Sequence, residues 1–386
     1  MPAPLSPLRL TGATVLRDGV LQDRTVAISG GRISAGPFPA VDLSGYYILP
    51  GMVDLSVRAL DQAAPQPTEE TARSALAEAG RAAAIAGVTT GWATHLWSAS
   101  GTGAAERAET YLRALDRHRA ESLVDLRIAL AYDAATLPAA ERLLAAVRRH
   151  GVDRLTFVDA MVGTKQTPAF DPVRLRALAD ARGLSAEALA AELAAAPAGP
   201  RDLPRTLCRI AEALDILGVS YGSHGDADGE TREFFAMLGA RICESPAALR
   251  AASLARAVGD PVVASVSGAE AGPVSAGALV RAGKCTALAS GRRPAALAGT
   301  AFALADEGIM DLPRAWRLVS GAPAALMRLP DRGVIAQGKR ADLAIVSKAT
   351  RQVEATLVAG RLAFAAGEAA MRFVDAPQAA VSVAAE

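Results

Sequence analysis

The sequence lacks the features that mark several large classes of protein. Its three cysteines, Cys208, Cys243 and Cys285, lie far apart and form no CxxC pair, so we expect free thiols and neither a disulfide framework nor a structural zinc site. No run of about 18 uninterrupted apolar residues occurs, and no basic segment precedes a long apolar stretch at the start. We therefore expect no membrane span and no signal peptide, and a cytoplasmic location.

An excess of charge is absent as well. Lysine and arginine total 41, aspartate and glutamate total 40, and the net charge is +1, with the basic residues spread along the chain. Proteins that bind nucleic acid or an anionic membrane through a broad surface are usually strongly basic. We therefore expect neither partner, and any binding of an anion has to be local.

What is present is the composition of an ordered globular protein. Hydrophobic residues make up 51% and charged residues 21% of the 386 residues, which is enough apolar material for a large core. A (β/α)₈ barrel takes about 250 residues. The length therefore allows one barrel together with a small second domain.

Short apolar runs alternate with helical patterns through the middle of the chain. Fully buried parallel strands read as continuous apolar runs, and eight strand–helix units in about 260 residues indicate an α/β fold, a closed (β/α)₈ TIM barrel. A doubly wound open sheet is the alternative. The predicted strands are Met52–Val57, Val88–His95, Leu126–Tyr132, Arg154–Val158, Gly218–Ser223, Ala240–Glu244, Pro261–Val266 and Cys285–Ser290.

The two chain ends have a β pattern instead, with short apolar runs separated by glycine turns. We predict a composite β-sandwich of residues 1–50 and 333–372, a barrel of residues 51–332, and a frayed tail at residues 373–386. Residues 171–200 are too many for a simple connection and read as an extra helical excursion between strands four and five.

Three landmarks, in this order, resemble the amidohydrolase superfamily. They are Tyr47–Leu55 (YILPGMVDL) leading into the first barrel strand, Ala86–Thr90 (AGVTT) before the second, and Gly333–Val346 (GVIAQGKRADLAIV) returning to the end sandwich. Their order and separation match that superfamily's sandwich–barrel–sandwich layout. The resemblance implies a (β/α)₈ barrel with a small β-sandwich formed by the N- and C-terminal segments.

Further motifs resemble the ribose methylphosphonate triphosphate diphosphatase family of phosphonate breakdown. Ser223–Asp226 (SHGD) is similar to the family's Ser-His-Asp-Asp, and Cys243–Pro246 (CESP) to its Glu-Phe-Pro strand end. Thr164–Gln166 (TKQ) is similar to a Gly-Gln-Arg-Gln turn, and Ala289–Pro294 (ASGRRP) to Ser-Ser-Asp-Tyr-Tyr-Pro. The resemblance spans residues 8–364, most of the chain.

The family's chemistry implies a divalent metal, held by imidazole and carboxylate groups at the C-terminal ends of the strands, that activates a water molecule. The sequence departs from that pattern. Ser56 and Arg58 stand where strand one should supply ligands, and the Asp-His pair of strand four is Asp159 followed by alanine. Segment Ser267–Gly272 lacks the expected histidine, and Gly291 stands in place of the strand-eight aspartate.

Three candidate metal ligands are left, namely His224, Glu244 and Asp226, and we also consider His224 and Asp226 as catalytic residues. His95, at the end of strand two, is a candidate replacement ligand. Five carboxylates near strand ends have two possible roles. They could form an oxygen-rich Mg²⁺ or Mn²⁺ site, or they could serve structurally as helix caps or strand partners. The five residues are Asp54, Asp159, Asp226, Asp228 and Glu244. In Arg-rich helix ends, His118 and His150 are expected to be solvated.

Four basic residues follow barrel strands or the turns just beyond them: Arg58, Lys165, Arg292 and Arg293. If they converge on the barrel mouth, they favour a phosphate or phosphonate ligand, because a guanidinium grips phosphate in a bidentate manner. They also repel a divalent cation. Ordinary surface charge is the alternative for each of them.

Three functions stay open, and one of them is hydrolysis without a metal, with His224 or Asp226 as the base and Arg58 as the charge stabiliser. The family resemblance implies a metal-dependent hydrolase that acts on a phosphoanhydride or C–N bond, here with most metal ligands missing. The residues themselves favour an inactive relative that binds a phosphorylated or other anionic ligand, or a partner protein. No cofactor is predicted beyond the option of Zn²⁺, Mn²⁺ or Mg²⁺, and the oligomeric state is open.

Overall fold

The structure is a computed structural model. It describes residues 5–57, 67–98, 104–134, 139–158, 176, 179–180, 184–195, 202–267 and 273–375. In the N-terminal part of the chain the strands are β1 (Leu8–Thr11), β2 (Thr14–Arg17), β3 (Val20–Asp23), β4 (Val26–Ser29), β5 (Arg32–Ser34), β6 (Ala40–Asp42) and β7 (Tyr46–Pro50).

The middle of the chain alternates strands and helices. In chain order these elements are β8 (Met52–Val57), α1 (Glu69–Ile85), β9 (Val88–Trp97), α2 (Ala104–His118), β10 (Asp125–Asp133), α3 (Ala140–His150), β11 (Arg154–Val158), α4 (Ala186–Ala195), α5 (Asp202–Ile216), β12 (Ser220–His224), α6 (Gly229–Met237), β13 (Ile242–Glu244), α7 (Leu249–Ala257), β14 (Val262–Ser265), α8 (Ala276–Arg281), β15 (Ala287–Ala289), α9 (Ala296–Asp306), α10 (Leu312–Arg317) and α11 (Gly321–Leu326). The C-terminal part consists of β16 (Leu343–Ser347), β17 (Val353–Val358), β18 (Arg361–Ala365) and α12 (Gly367–Val374).

Strands β8 to β15 form one parallel sheet in chain order, which confirms the predicted barrel. The last strand meets the first through a parallel bridge between Val57 and Gly291. The Ser290 backbone N–H also donates to the Asp54 carboxylate at 3.0 Å. The open doubly wound alternative is therefore excluded, because the two edge strands of the sheet are joined.

Side chains alternate between the two faces of the barrel wall. On β11, Leu155 and Phe157 belong to the apolar layer under the helices, and Arg154 and Thr156 point into the barrel, where both contact Glu244 of β13. The barrel interior below the mouth is packed by apolar side chains that include Val53 and Leu55. The polar groups at the C-terminal ends of the strands therefore lie above an apolar layer inside the barrel.

The two chain ends share one sheet, as predicted. Six strands lie in the order β18-β17-β16-β7-β2-β3, with β7 antiparallel to β16, and a second sheet has the order β5-β4-β1-β6. The apolar core between them includes Leu10, Ile48 and Ile345. The Trp316 indole N–H donates to the Pro50 carbonyl at 2.9 Å and fastens the sandwich to the barrel.

The predicted tail begins too early. Helix α12 runs to Val374, and Phe373 packs against the core of the sandwich. Residues 376–386 lie outside the described residues. In the predicted excursion at 171–200, α4 is a helix, and much of the rest lies outside the described residues. The predicted domain boundaries stay a prediction. No helix in the described ranges is both long and apolar enough to cross a membrane.

Candidate ligand site at the barrel mouth

The C-terminal ends of the parallel strands meet at one rim, where proteins of this architecture place their functional groups. The register pairs His224 at the end of β12 with Val158 on one side and Glu244 on the other. His224 is half-buried and Glu244 is buried. The structure therefore brings together two of the three predicted metal ligands as neighbours across adjacent strands.

The side chain of Arg154 places a positive charge inside the barrel. Arg154 begins β11 and is only 1% exposed, and its Nη2 lies 2.5 Å from Oε1 of Glu244. Its Nη1 donates to the carbonyl of Leu55 on β8, so one side chain connects strands on opposite sides of the interior. The hydroxyl of Thr156 donates to the same Glu244 oxygen at 2.8 Å. The negative charge of Glu244 is therefore already compensated.

The sequence analysis missed Arg154 because it treated Arg154–Val158 as one continuous apolar run. The segment RLTFV in fact alternates polar and apolar residues. That period of two was the available signal, because it places Arg154 and Thr156 on the same face of a strand.

Asp54 connects the first barrel strand to the end of the last one. It is fully buried, and its Oδ1 accepts from the backbone N–H groups of Ser56 at 3.2 Å and Ser290 at 3.0 Å. Burial raises the pKa of Asp54, although these hydrogen bonds and the charge of Arg154 act in the opposite direction. Its role as a partner of the neighbouring strand is therefore the one seen here.

Asp226 lies on the opposite side of the barrel wall from His224. Its Oδ2 accepts from the hydroxyl of Ser223 at 2.8 Å and lies 3.4 Å from Nη1 of Arg232 on α6. Successive residues of a strand point to opposite faces, so the side of Ser223 is the helix side. Burial raises the pKa of Asp226 more than Arg232 lowers it. The expectation that Asp226 joins His224 as a catalytic or metal-binding group is not met by this geometry.

The described residues of the mouth do not fit the divalent metal that the resemblance implies. Among the described residues, no group of three or more histidine, cysteine, aspartate or glutamate side chains could hold a metal ion. The predicted set of His224, Glu244 and Asp226 is split because Asp226 is bound to Arg232 and Glu244 to Arg154. Asp228 caps α6 instead, accepting from the Thr231 N–H at 2.8 Å.

The other histidines are packed. His95 is buried and its ring stacks on that of Tyr111, with centroids 4.1 Å apart, so it faces α2. The expectation that His118 and His150 are solvated is wrong. His118 is 5% exposed, and the His150 side chain is 6% exposed with Nδ1 2.7 Å from Oδ2 of Asp116.

At the end of strand eight the backbone leaves no room for the expected acid. Gly291 has φ +68°, and a Cβ on it would lie 2.2 Å from the carbonyl oxygen of Ser267. A side chain at this position therefore collides with backbone. The next two residues, Arg292 and Arg293, are exposed at the rim, and the backbone N–H of Arg293 donates to the Ser267 hydroxyl at 3.1 Å.

Not every predicted site residue can be placed. Arg58, Asp159 and Lys165 lie outside the described residues. The structure adds a carboxylate that the sequence analysis did not single out: Asp133, the last residue of β10, is 1% exposed and accepts from the Ser98 hydroxyl at 2.8 Å. Its position one residue beyond the predicted strand was the available signal.

A closed eight-stranded barrel, capped by a sandwich of both chain ends and bearing polar groups on its C-terminal rim, defines an amidohydrolase-superfamily protein. Solved structures support this fold. Dihydropyrimidinase from Brevibacillus agri has a TM-score of 0.62 at 14% identity and covers 93% of this chain and 95% of its own. N-acetylglucosamine-6-phosphate deacetylase from Pasteurella multocida has a TM-score of 0.62 at 13% identity, over 92% and 99%.

Sequence comparison identifies the family within that class. The chain is 30% identical over 332 residues to alpha-D-ribose 1-methylphosphonate 5-triphosphate diphosphatase of Escherichia coli, covering 80% of this chain and 85% of that protein. No family model matches the chain. The chain belongs to the ribose methylphosphonate triphosphate diphosphatase family.

Proposed function

We propose that this chain binds a phosphorylated ligand at its barrel mouth and no longer carries out the metal-dependent hydrolysis of its superfamily. The observation that carries the proposal is the buried pair of Arg154 and Glu244, 2.5 Å apart. Because Arg154 already neutralises Glu244, this carboxylate offers a divalent ion no net negative charge. The carboxylate of Glu244 is also already engaged.

The basic residues of the rim support an anionic ligand. Arg292 and Arg293 are exposed directly after the last barrel strand, and Arg58 and Lys165 follow strands one and four in the sequence. Guanidinium groups recognise phosphate oxygens through paired hydrogen bonds. The name of the relative from E. coli describes a ribose that bears a methylphosphonate and a triphosphate, so we expect a phosphorylated ribose.

The second candidate is hydrolysis of a phosphoanhydride without a metal. It is favoured by His224, which is half-buried on the rim beside Glu244. In that mechanism the imidazole accepts a proton from the attacking water, and the arginines of the rim stabilise the negative charge that develops on phosphate. Binding of a partner protein has no observation of its own among the described residues.

The free cysteines support a reducing, cytoplasmic location.

Two measurements on the full chain test the proposal. Protein purified without chelator should contain far less than one Zn, Mn or Fe per chain by mass spectrometry, and its melting temperature should not change with EDTA. Ribose 5-phosphate and tripolyphosphate should raise the melting temperature, because a ligand that binds only the folded state stabilises it. The double variant Arg292→Gln/Arg293→Gln should lose most of that shift.

A matched control is Arg314→Gln, which removes a guanidinium whose side chain is 79% exposed on α10. It should keep the full ligand shift. One equivalent of bound transition metal, or steady release of phosphate from the tripolyphosphate, would overturn the proposal in favour of a hydrolase.

A further inference from the structure

Three successive turns at the end of the barrel opposite to the mouth carry exposed apolar side chains. They lead from α5 into β12, from α6 into β13 and from α7 into β14, and these three strands are neighbours in the sheet. Ile216 is 86% exposed, Met237 76% and Val258 50%. Single exposed apolar residues are common, whereas a group of neighbours is typical of an interaction surface. We call these three residues the apolar row.

Turns in other units of the barrel have charged residues at the same place. Each of the three turns contains a glycine of positive φ, and the two residues before it are Ile-Leu, Met-Leu and Ala-Val. Before Gly151, Gly283 and Gly308, which follow α3, α8 and α9, the corresponding pairs are Arg-His, Arg-Ala and Asp-Glu. The turn itself therefore does not require an apolar residue at this place.

Polar contacts fix the three turns relative to one another. The Tyr221 hydroxyl lies 3.1 Å from Oδ1 of Asp215 and 3.3 Å from the carbonyl oxygen of Leu238, which connects the first turn to the second. The carboxylate of Asp260 lies 3.7 Å from Nη1 of Arg241, which connects the third turn to the second. A surface that is already ordered loses little conformational entropy when it binds a partner.

A recess opens between the same turns. It has a volume of about 170 Å³, and its lining includes Asp215 of the first turn, Gly239 and Arg241 of the second, and Pro261 just after the third. The three turns therefore surround one depression. Projecting side chains beside a depression give a surface the relief that a shape-complementary interface needs.

Opposite charges lie at the two ends of the apolar row. Asp215 is exposed in the last turn of α5, and Arg256 is exposed in the last turn of α7. Within the described ranges neither has an ion-pair partner, and each makes a hydrogen bond with a hydroxyl group, Asp215 with Tyr221 and Arg256 with Thr286. Arg241, in the middle turn, already has a carboxylate partner. The surface thus has an acidic end, an apolar centre and a basic end.

We propose that the apolar row binds the same row of a second copy of this chain in a symmetric homodimer. A two-fold interface uses one surface on both partners, so the contacts of each copy are repeated by the other. With the axis at Met237, Ile216 of one copy packs against Val258 of the other. Asp215 of each copy then faces Arg256 of the other, and such facing charges fix the orientation of two partners. This interface is independent of the function proposed for the mouth.

The oligomeric state of the full chain tests the proposal. Size-exclusion chromatography with light scattering should give, at micromolar concentrations, a mass that approaches twice the 39.5 kDa of one chain. Met237→Asp should raise the dissociation constant by about 100-fold or more, because two unpaired carboxylates would meet at the axis. Met371→Asp is the matched control, since this side chain is 59% exposed on α12 of the sandwich, and it should leave the dimer intact.

Charge reversal tests the symmetric arrangement itself. Asp215→Arg and Arg256→Asp should each weaken the dimer by about ten-fold, because like charges then face each other. The double variant Asp215→Arg/Arg256→Asp should restore it, which a local loss of stability could not do. If Met237→Asp does not fold, the reversals alone decide.

Three results would overturn the proposal. One is a parent chain that is monomeric at all concentrations, as expected if a different protein covers this surface. Another is a dimer that neither Met237→Asp nor the single reversals weaken, because the copies would then meet elsewhere. The third is a double reversal that stays as weak as the single ones.

Discussion

The guanidinium of Arg154 and the carboxylate of Glu244 form an ion pair 2.5 Å long inside the barrel, although their strands β11 and β13 are separated by β12. Their side chains are 1% and 9% exposed. The pair therefore spans the interior rather than following the sheet. This ion pair determines the net charge in the part of the barrel where the family resemblance implies a metal.

Breaking this pair from one side should destabilise the protein strongly. Arg154→Met leaves Glu244 buried without a counter-ion, and losses of about 3–5 kcal/mol are typical of such changes. Arg154→Met/Glu244→Leu should recover much of the loss, because no uncompensated charge is left. Urea unfolding measures both, and a double variant less stable than the single one would contradict the prediction.

The control for this change is an exposed pair of the same residue types. Arg281 and Glu307 lie 2.8 Å apart with side chains 58% and 54% exposed. Arg281→Met should cost less than about 1 kcal/mol in the same experiment, since exposed ion pairs contribute little.

Restoring the expected acid of strand eight should fail on backbone grounds. Gly291→Asp puts a side chain at φ +68°, which costs about 1–2 kcal/mol, and its Cβ overlaps the Ser267 carbonyl. We expect a lower melting temperature and no gain of hydrolysis. Gly299→Ala is the matched control, because nothing lies within 4 Å of its new Cβ inside α9 and the change should stabilise by up to about 1 kcal/mol. A Gly291→Asp variant as stable as the parent would show that the loop yields.

Acid should remove the stabilisation that comes from Asp125. Burial alone would raise its pKa, but hydrogen bonds and charges of Arg127 and Arg332 outweigh burial and lower the pKa to about 2. The folded state therefore binds this proton less readily than the unfolded chain, whose value is 3.8. The contribution, on the order of 2 kcal/mol, is present above that value and is lost as the pH falls toward 2.

Comparison with Asp125→Asn isolates this contribution from the other carboxylates. The difference in unfolding free energy between parent and variant should be largest at pH 5–7 and should shrink between pH 4 and pH 2. A difference that does not change with pH would mean that the charge of the Asp125 carboxylate does not stabilise the folded state.

Substitutions of His224 and Asp226 should have different effects, one on ligand binding and the other on stability. Asp226→Asn weakens the buried contact with Arg232 and should lower stability without changing the response to ribose 5-phosphate, since Asp226 is on the helix side. His224→Ala, on the rim, should leave stability nearly unchanged and alter ligand binding. Thermal unfolding with and without the ligand tests both, and loss of ligand response in folded Asp226→Asn would place Asp226 at the site after all.

The sequence by itself determined the architecture. The eight predicted runs coincide with the eight barrel strands to within about two residues at each end, because parallel strands covered on both faces are rich in apolar residues. The sharing of one sheet by the two chain ends was also predictable, because short strands at both ends need partners to bury their apolar faces.

Only the tertiary structure decided the charges inside that frame. Whether Asp226 joins His224 or Arg232 depends on the face of the barrel wall on which each side chain lies. The contact between Arg154 and Glu244 joins residues 90 positions apart in the chain. Burial of His118 and His150 likewise depends on how the helices pack. Local sequence patterns encode which segments are buried, whereas ion pairs across an interior arise from the closure of the barrel.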